Sequence, residues 1–170
     1  ALVSNTTGAG NTVSGTYAAQ DNTTGGNNTA SGFRAFQDNT TGGNNVAIGA
    51  YALDDNTTAS NNTAVGYNAL TTSTTGAENV AVGVEAGMSV TTGSENVMLG
   101  VYAGSSNASS VNGITTGTAN IAIGLGAMSG DGTAVTGSNN IAIGRYAGQK
   151  FTSGSYNIAI GQGALTANTT

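Results

Sequence analysis

Asn120-Ile-Ala-Ile-Gly124, Asn140-Ile-Ala-Ile-Gly144 and Asn157-Ile-Ala-Ile-Gly161 are three copies of one phrase, and Asn45-Val-Ala-Ile-Gly49 differs from them at one residue. The frame they set runs through Asn11, Asn28, Asn45, Asn62, Asn79, Asn96, Asn120, Asn140 and Asn157, spaced by 17 residues except for intervals of 24 and 20. Gly stands four residues after every one of these asparagines and Ala seven after. A further Gly precedes each by three, except where Ala59 takes its place. Self-similarity at a short fixed period marks an array in which each unit completes its neighbours' packing.

Between Asn and Gly, β-branched or hydroxyl residues flank a small one, which predicts a short strand closed by a turn. The second half of the unit, Gly-x-x-Ala followed by Leu, Gly or Phe, reads as a weaker second strand. Thr-Thr-Gly returns the chain as a polar turn. The expected fold is therefore all-β: one repeat domain over 1–170, a parallel β-solenoid or β-roll of about nine 17-residue coils with two short strands in each. The Ile/Val pair is taken as each coil's buried contribution. It is too small to offset the ordering of 17 backbones, so coils are expected to stand only by stacking. In register the nine repeated asparagines become a ladder of carboxamides along the axis. The repeated Gly supplies a corner angle closed to other residues, and the repeated Ala a close approach between two sheets or two chains. Thr12, Ser14, Thr29 and Ser31 replace Val and Ile in the first two coils, which predicts a softer N-terminal end.

Composition excludes much. Gly 28, Thr 27, Ala 26, Asn 21 and Ser 15 dominate the 170 residues, and large aliphatic residues are scarce. There is no His and no Cys, so imidazole or thiolate catalysis and the common zinc sites are absent. Three basic residues (Arg34, Arg145, Lys150) against eight acids make nucleic acid a poor partner. No apolar run is long enough to span a membrane. Pro is absent altogether, as suits a fold that needs a backbone N–H at nearly every position. No catalytic residue, metal site or cofactor is expected.

The Asn-Ile-Ala-Ile-Gly runs resemble the signature of the head repeats of YadA-like trimeric autotransporter adhesins, with a 17-residue period in place of that family's shorter one. The resemblance covers nearly the whole chain. It implies a left-handed parallel β-roll, often three chains abreast, displayed on a bacterial surface and binding matrix or host partners. Asn-Thr-Thr-Gly arrays are similar to those of fibre and tail-spike-like proteins.

Several features are candidates for function. The two longer intervals reflect insertions near 104–114 and 129–135, on adjacent coils at one point of the frame, expected to protrude together. Asp21, Asp38 and Asp55, and likewise Glu78 and Glu95, recur at 17 and would stack as like charges; the sequence lacks the nonapeptide of calcium β-rolls, so they are read as solvated. Tyr17, Tyr51, Tyr102 and Tyr146 share one frame position, with Phe33 and Tyr67 one residue earlier, and aromatics in such a column can stack on sugars. Candidate glycosylation acceptors are Asn5, Asn22, Asn27, Asn39, Asn56, Asn61, Asn107 and Asn168.

The expected function is that of an extracellular or cell-surface structural or adhesive fibre protein, not an enzyme. It would assemble with copies of itself, end to end or side by side as in a trimeric head, and contact host, matrix or carbohydrate surfaces. End-to-end stacking is suggested by Ala1–Thr7 and Ala164–Thr170, which align as Ala-Leu-x-x-Asn-Thr-Thr. The alternative is an ice-binding β-solenoid that orders water on Thr pairs such as Thr23-Thr24 and Thr40-Thr41; adjacent residues of a strand face opposite ways, which counts against a flat two-column array.

Overall fold

A computed structural model describes residues 1–105, 113–130 and 132–166. Each repeat begins its strand immediately after the framing asparagine, where β-branched residues favour extended backbone. The strands are β1 (Thr12–Ser14), β2 (Thr29–Ser31), β3 (Val46–Ile48), β4 (Thr63–Val65), β5 (Val80–Val82), β6 (Val97–Leu99), β7 (Ile121–Ile123), β8 (Ile141–Ile143) and β9 (Ile158–Ile160). They form one parallel sheet in sequence order. Register never slips: Ala47 faces Ala64, and Met98 faces Ala122 across the 24-residue interval. The molecule is a parallel β-solenoid whose nine rungs, at about 4.8 Å each, span roughly 43 Å.

Two expectations are corrected. Among the described residues each coil carries one strand, not two. After the corner glycine the backbone flips into the left-handed region at alternate positions, as at Tyr51 (φ 60°) and Leu53 (φ 52°), which is incompatible with a strand. Backbone bonding between coils nevertheless continues there: Tyr51 N–H donates to Phe33 O, and Leu53 N–H to Ala69 O.

The second correction concerns which strand face is inside. The middle residue is buried in β2–β9, and the flanking Val, Ile, Thr and Ser face outward. Ala30, Ala47, Ala64, Ala81, Ala122 and Ala142 thus line the interior, together with the alanines seven residues after each Asn, such as Ala52 and Ala69. Both walls belong to one chain. A coil this short encloses a cross-section that alanine fills and isoleucine would overfill.

The rest of the interior is filled in complementary pairs. In the second to fourth coils a large side chain follows the repeated Ala and a polar one comes three residues later: Phe36 with Asn39, Leu53 with Asn56, Leu70 with Ser73. In three later coils the sizes reverse: Gly87 with Val90, Gly104 with Ile114, Gly148 with Phe151. A Cβ on Gly148 would press on the Phe151 ring, and one on Gly104 on Met98. In these coils the bulk comes from one of the two positions or from the other.

At the corner, Gly49 has φ 129° and its counterparts 118° to 144°, a region closed to other residues. A Cβ there would also strike the carbonyl of the coil stacked on it, as Gly49 would strike Gly66 O.

Candidate functional site

The framing asparagines stand in a single column. Asn28, Asn45, Asn62, Asn79, Asn96, Asn120 and Asn140 are buried, and Asn11 and Asn157 half-buried. Each carboxamide reaches forward to the following coil in two ways. Asn45 Oδ1 accepts the backbone N–H of Asn62 at 2.9 Å, and Asn45 Nδ2 donates to Ala59 O at 2.9 Å. The same pair of contacts recurs from Asn62 to Asn79 N and Gly76 O, and from Asn120 to Asn140 N and Gly137 O. Direct amide-to-amide bonds also occur, as between Asn96 Nδ2 and Asn79 Oδ1 at 3.0 Å. The column is thus chiefly a bridge from side chain to backbone: it satisfies peptide groups at the turn preceding each strand, where no ladder partner is at hand.

A second, shorter amide ladder lies inside the N-terminal half. Asn22 Nδ2 donates to Asn5 Oδ1, Asn39 Nδ2 to Asn22 Oδ1 and Asn56 Nδ2 to Asn39 Oδ1, and each also donates to the carbonyl three residues on. It gives way to Ser73 and then to Val90, leaving Asn56 Oδ1 without a hydrogen-bond partner. Three of the sequon asparagines therefore sit inside the rod: Asn22 at 1% exposure, Asn39 and Asn56 at 0%. Asn5, Asn27 and Asn61 are exposed; Asn107 and Asn168 lie outside the described residues. The 17-residue recurrence of Asn5, Asn22, Asn39 and Asn56 was the available signal for this ladder.

Outside, the sheet presents two columns of side chains without a charge. From β3 onward these are Val46 and Ile48, Thr63 and Val65, Val80 and Val82, Val97 and Leu99, then isoleucines to Ile158 and Ile160. Ile48, Val82, Ile143, Ile158 and Ile160 are exposed. Beyond the corner, Val84, Val101 and Leu125 extend this surface. In the first two coils the same columns are Thr12, Ser14, Thr29 and Ser31.

The corner of the first four coils is aromatic. Tyr17, Phe33, Tyr51 and Tyr67 pack edge to face with centroids 5.9, 5.4 and 6.1 Å apart. Arg34 lies over the Tyr51 ring at 5.5 Å and pairs with Asp54 at 3.2 Å. Asp54, which sequence reasoning passed over, is the buried acid. Loss of solvation lifts its carboxyl from 3.8 to about 6 against the pull of Arg34, with Asp38 and Asp55 adding to the rise. Burial likewise raises Asp55, with Asp38 adding and Arg34 opposing. Asp38 is half-buried beside it and Asp21 half-buried one coil farther on, and among the described residues no cluster of three or more acids is arranged to hold a metal. Tyr146 lies farther along the corner with Arg145 over its ring at 4.9 Å.

The first residue of each Thr pair turns its hydroxyl along the axis, Thr23 Oγ1 donating to Thr40 O and Thr40 Oγ1 to Thr57 O. The second (Thr24, Thr41, Thr58, Thr75, Thr92) is exposed. The return limbs of the two insertions meet where Ile114 bridges Val135 in parallel; residues 106–112 and 131 lie outside the described set. Among the described residues no helix is long and apolar enough to cross a membrane.

No protein-family model, curated protein or solved structure matches the chain. Its class is therefore set by its geometry: a self-stacking parallel β-solenoid with a period of 17 residues.

Proposed function

We propose that this protein is a structural and adhesive fibre component of the extracellular space or cell surface, working through association with copies of itself and not through catalysis. The observation that carries the reading is the uncharged Val/Ile surface on the outside of the sheet. Contiguous apolar surface of this kind marks an interaction site. The Val/Ile strand face alone offers about 340 Å² (seven rungs of about 4.8 Å by roughly 10 Å), under half of what a standard partner buries. A stable contact must therefore recruit the adjoining corner with Val84, Val101 and Leu125, and side-by-side packing of two or three rods supplies that. The strand columns carry no charge, so burying them costs no charge desolvation; in the corner column Arg145 follows Leu125.

Sedimentation velocity tests the reading. Multimers that convert to monomer in the Ile123→Lys/Ile143→Lys variant, with the melting temperature of the monomer little changed, are expected. A monomer at all concentrations in the unaltered chain would end it. Ice binding is the second reading, supported by the exposed Thr column. Its weakness is that the partner hydroxyls are committed to backbone carbonyls, leaving one column where a matching plane needs two; thermal hysteresis is the measurement that discriminates.

A further inference from the structure

From the aromatic corner we infer that the first four coils form a binding platform for an uncharged, β-1,4-linked hexose chain. This names a partner for the adhesive part of the reading above and is independent of the self-association part. A groove of about 290 Å³ opens between the first two coils, lined by Tyr17, Gln20, Phe33, Arg34 and Gln37. It combines what a pyranose needs. The axial C–H bonds of a sugar ring carry partial positive charge and sit against the negative face of an aromatic ring. Its hydroxyls need planar groups that both donate and accept, which Gln20 and Gln37 provide, while Arg34 keeps guanidinium donors beyond its contact with Asp54.

Rings held for packing alone would be covered, but Tyr17, Phe33 and Tyr67 are 51%, 42% and 49% exposed. Edge-to-face contacts fix their orientation in advance, so little order remains to be gained on binding.

The arrangement also has a period. Tyr17 and Tyr51 occupy one position of the frame and Phe33 and Tyr67 the preceding one, so the rings zigzag with a repeat of two rungs. Successive pyranoses of an extended β-1,4-linked chain turn over in the same two-unit rhythm, each advancing by close to one rung. A chain laid along the axis thus meets every second ring in an equivalent setting.

The groove end of the platform is set apart from the strand columns proposed for self-association, while Tyr67 at its other end adjoins Val84 in one corner column. In the first two coils, where the groove opens, the outer sheet columns are Thr12, Ser14, Thr29 and Ser31, not Val and Ile. The strand face is thereby left hydrophilic around the groove, while from β3 onward it is chiefly Val and Ile.

The test uses the whole chain and cellohexaose. With six Tyr and no Trp, ultraviolet fluorescence reports tyrosine directly. A saturable change on titration is expected, with affinity weakened at least tenfold in Tyr17→Ala and in Phe33→Ala and unchanged in Tyr146→Ala. Gln20→Ala/Gln37→Ala, which leaves the rings in place, is expected to weaken binding as well and serves if an aromatic variant melts early. No saturable response, or one that survives Tyr17→Ala/Phe33→Ala, overturns the inference. So does a change of sedimentation in that variant without a change in sugar affinity, which would give the corner to self-association. A multimer that binds no sugar leaves the fibre reading standing; a monomer that binds it leaves the platform standing.

Discussion

Asn62 illustrates how much one side chain can hold. Its carboxamide accepts from the backbone and side chain of Asn79 and donates to Gly76 O, all in the interior. Replacing it by Ala strands the buried N–H of Asn79 and leaves Gly76 O only the long 3.4 Å bond from Ser73 Oγ, at about 1–3 kcal/mol for each unsatisfied group. Asn62→Ala is therefore expected to lower unfolding free energy by about 2–4 kcal/mol in denaturant titration, and Asn11→Ala, half exposed at the first coil, by clearly less. Asp54 gives a signature in pH. Folding raises its pKa from 3.8 to about 6, so between those values the native state holds more protons than the unfolded chain. Stability then falls as pH rises from about 4 to about 6 and levels off above. Melting temperatures across that range should show the decline in the unaltered protein and a flatter profile in Asp54→Asn. Glu78 and Glu95, at φ 61° and 60°, stand in a column where Asn27, Asn44 and Asn61 hold the same conformation. Asn tolerates it better, so Glu78→Asn is expected to stabilise by up to about 1 kcal/mol in the same titration.

At the scale of the coil, the exchange of bulk between paired positions yields a double-mutant test. Leu70→Gly or Ser73→Val alone opens or overfills the interior of the fourth coil. Together they convert it to the Gly87/Val90 arrangement, and the pair is expected to recover at least 1 kcal/mol relative to the sum of the singles. This is also the scale at which the sequence was only half legible. Period, parallel register, the framing column and the corner glycine could be read from spacing, because a stacked array repeats its constraints at its own period. Alternation in Asn-Ile-Ala-Ile-Gly separated two faces of the strand, yet it carries no sign saying which is inside. The usual assumption that the larger residue is buried fails because the opposite wall is only one short turn away. Tyr51 and Leu53 hid the absence of a second strand, since neither residue type advertises a left-handed backbone. Asp54 was obscure because its partner Arg34 is 20 residues distant, one coil plus three. With Thr12, Ser14, Thr29 and Ser31 facing outward, the reason for expecting a soft N-terminal end disappears. Hydrogen exchange in β2 is now expected to be as slow as in β3 and β4, since each of these strands is paired on both sides.

For the whole molecule, the association proposed above would be linked to stability. A rod that buries its Val/Ile surface only on pairing gains stability by mass action, so its melting temperature should climb with protein concentration, and Ile123→Lys/Ile143→Lys should abolish that climb. The forward bonds from carboxamide to backbone have a further consequence. From Asn11 to Asn140 each framing asparagine offers its oxygen to the backbone N–H, and its nitrogen to a carbonyl, of the coil that comes after it, and the last winding already in place is the template for the next. During synthesis, in which the N-terminal windings emerge first, each new segment meets a finished seat on leaving the ribosome. The chain can wind itself up in the order in which it is made.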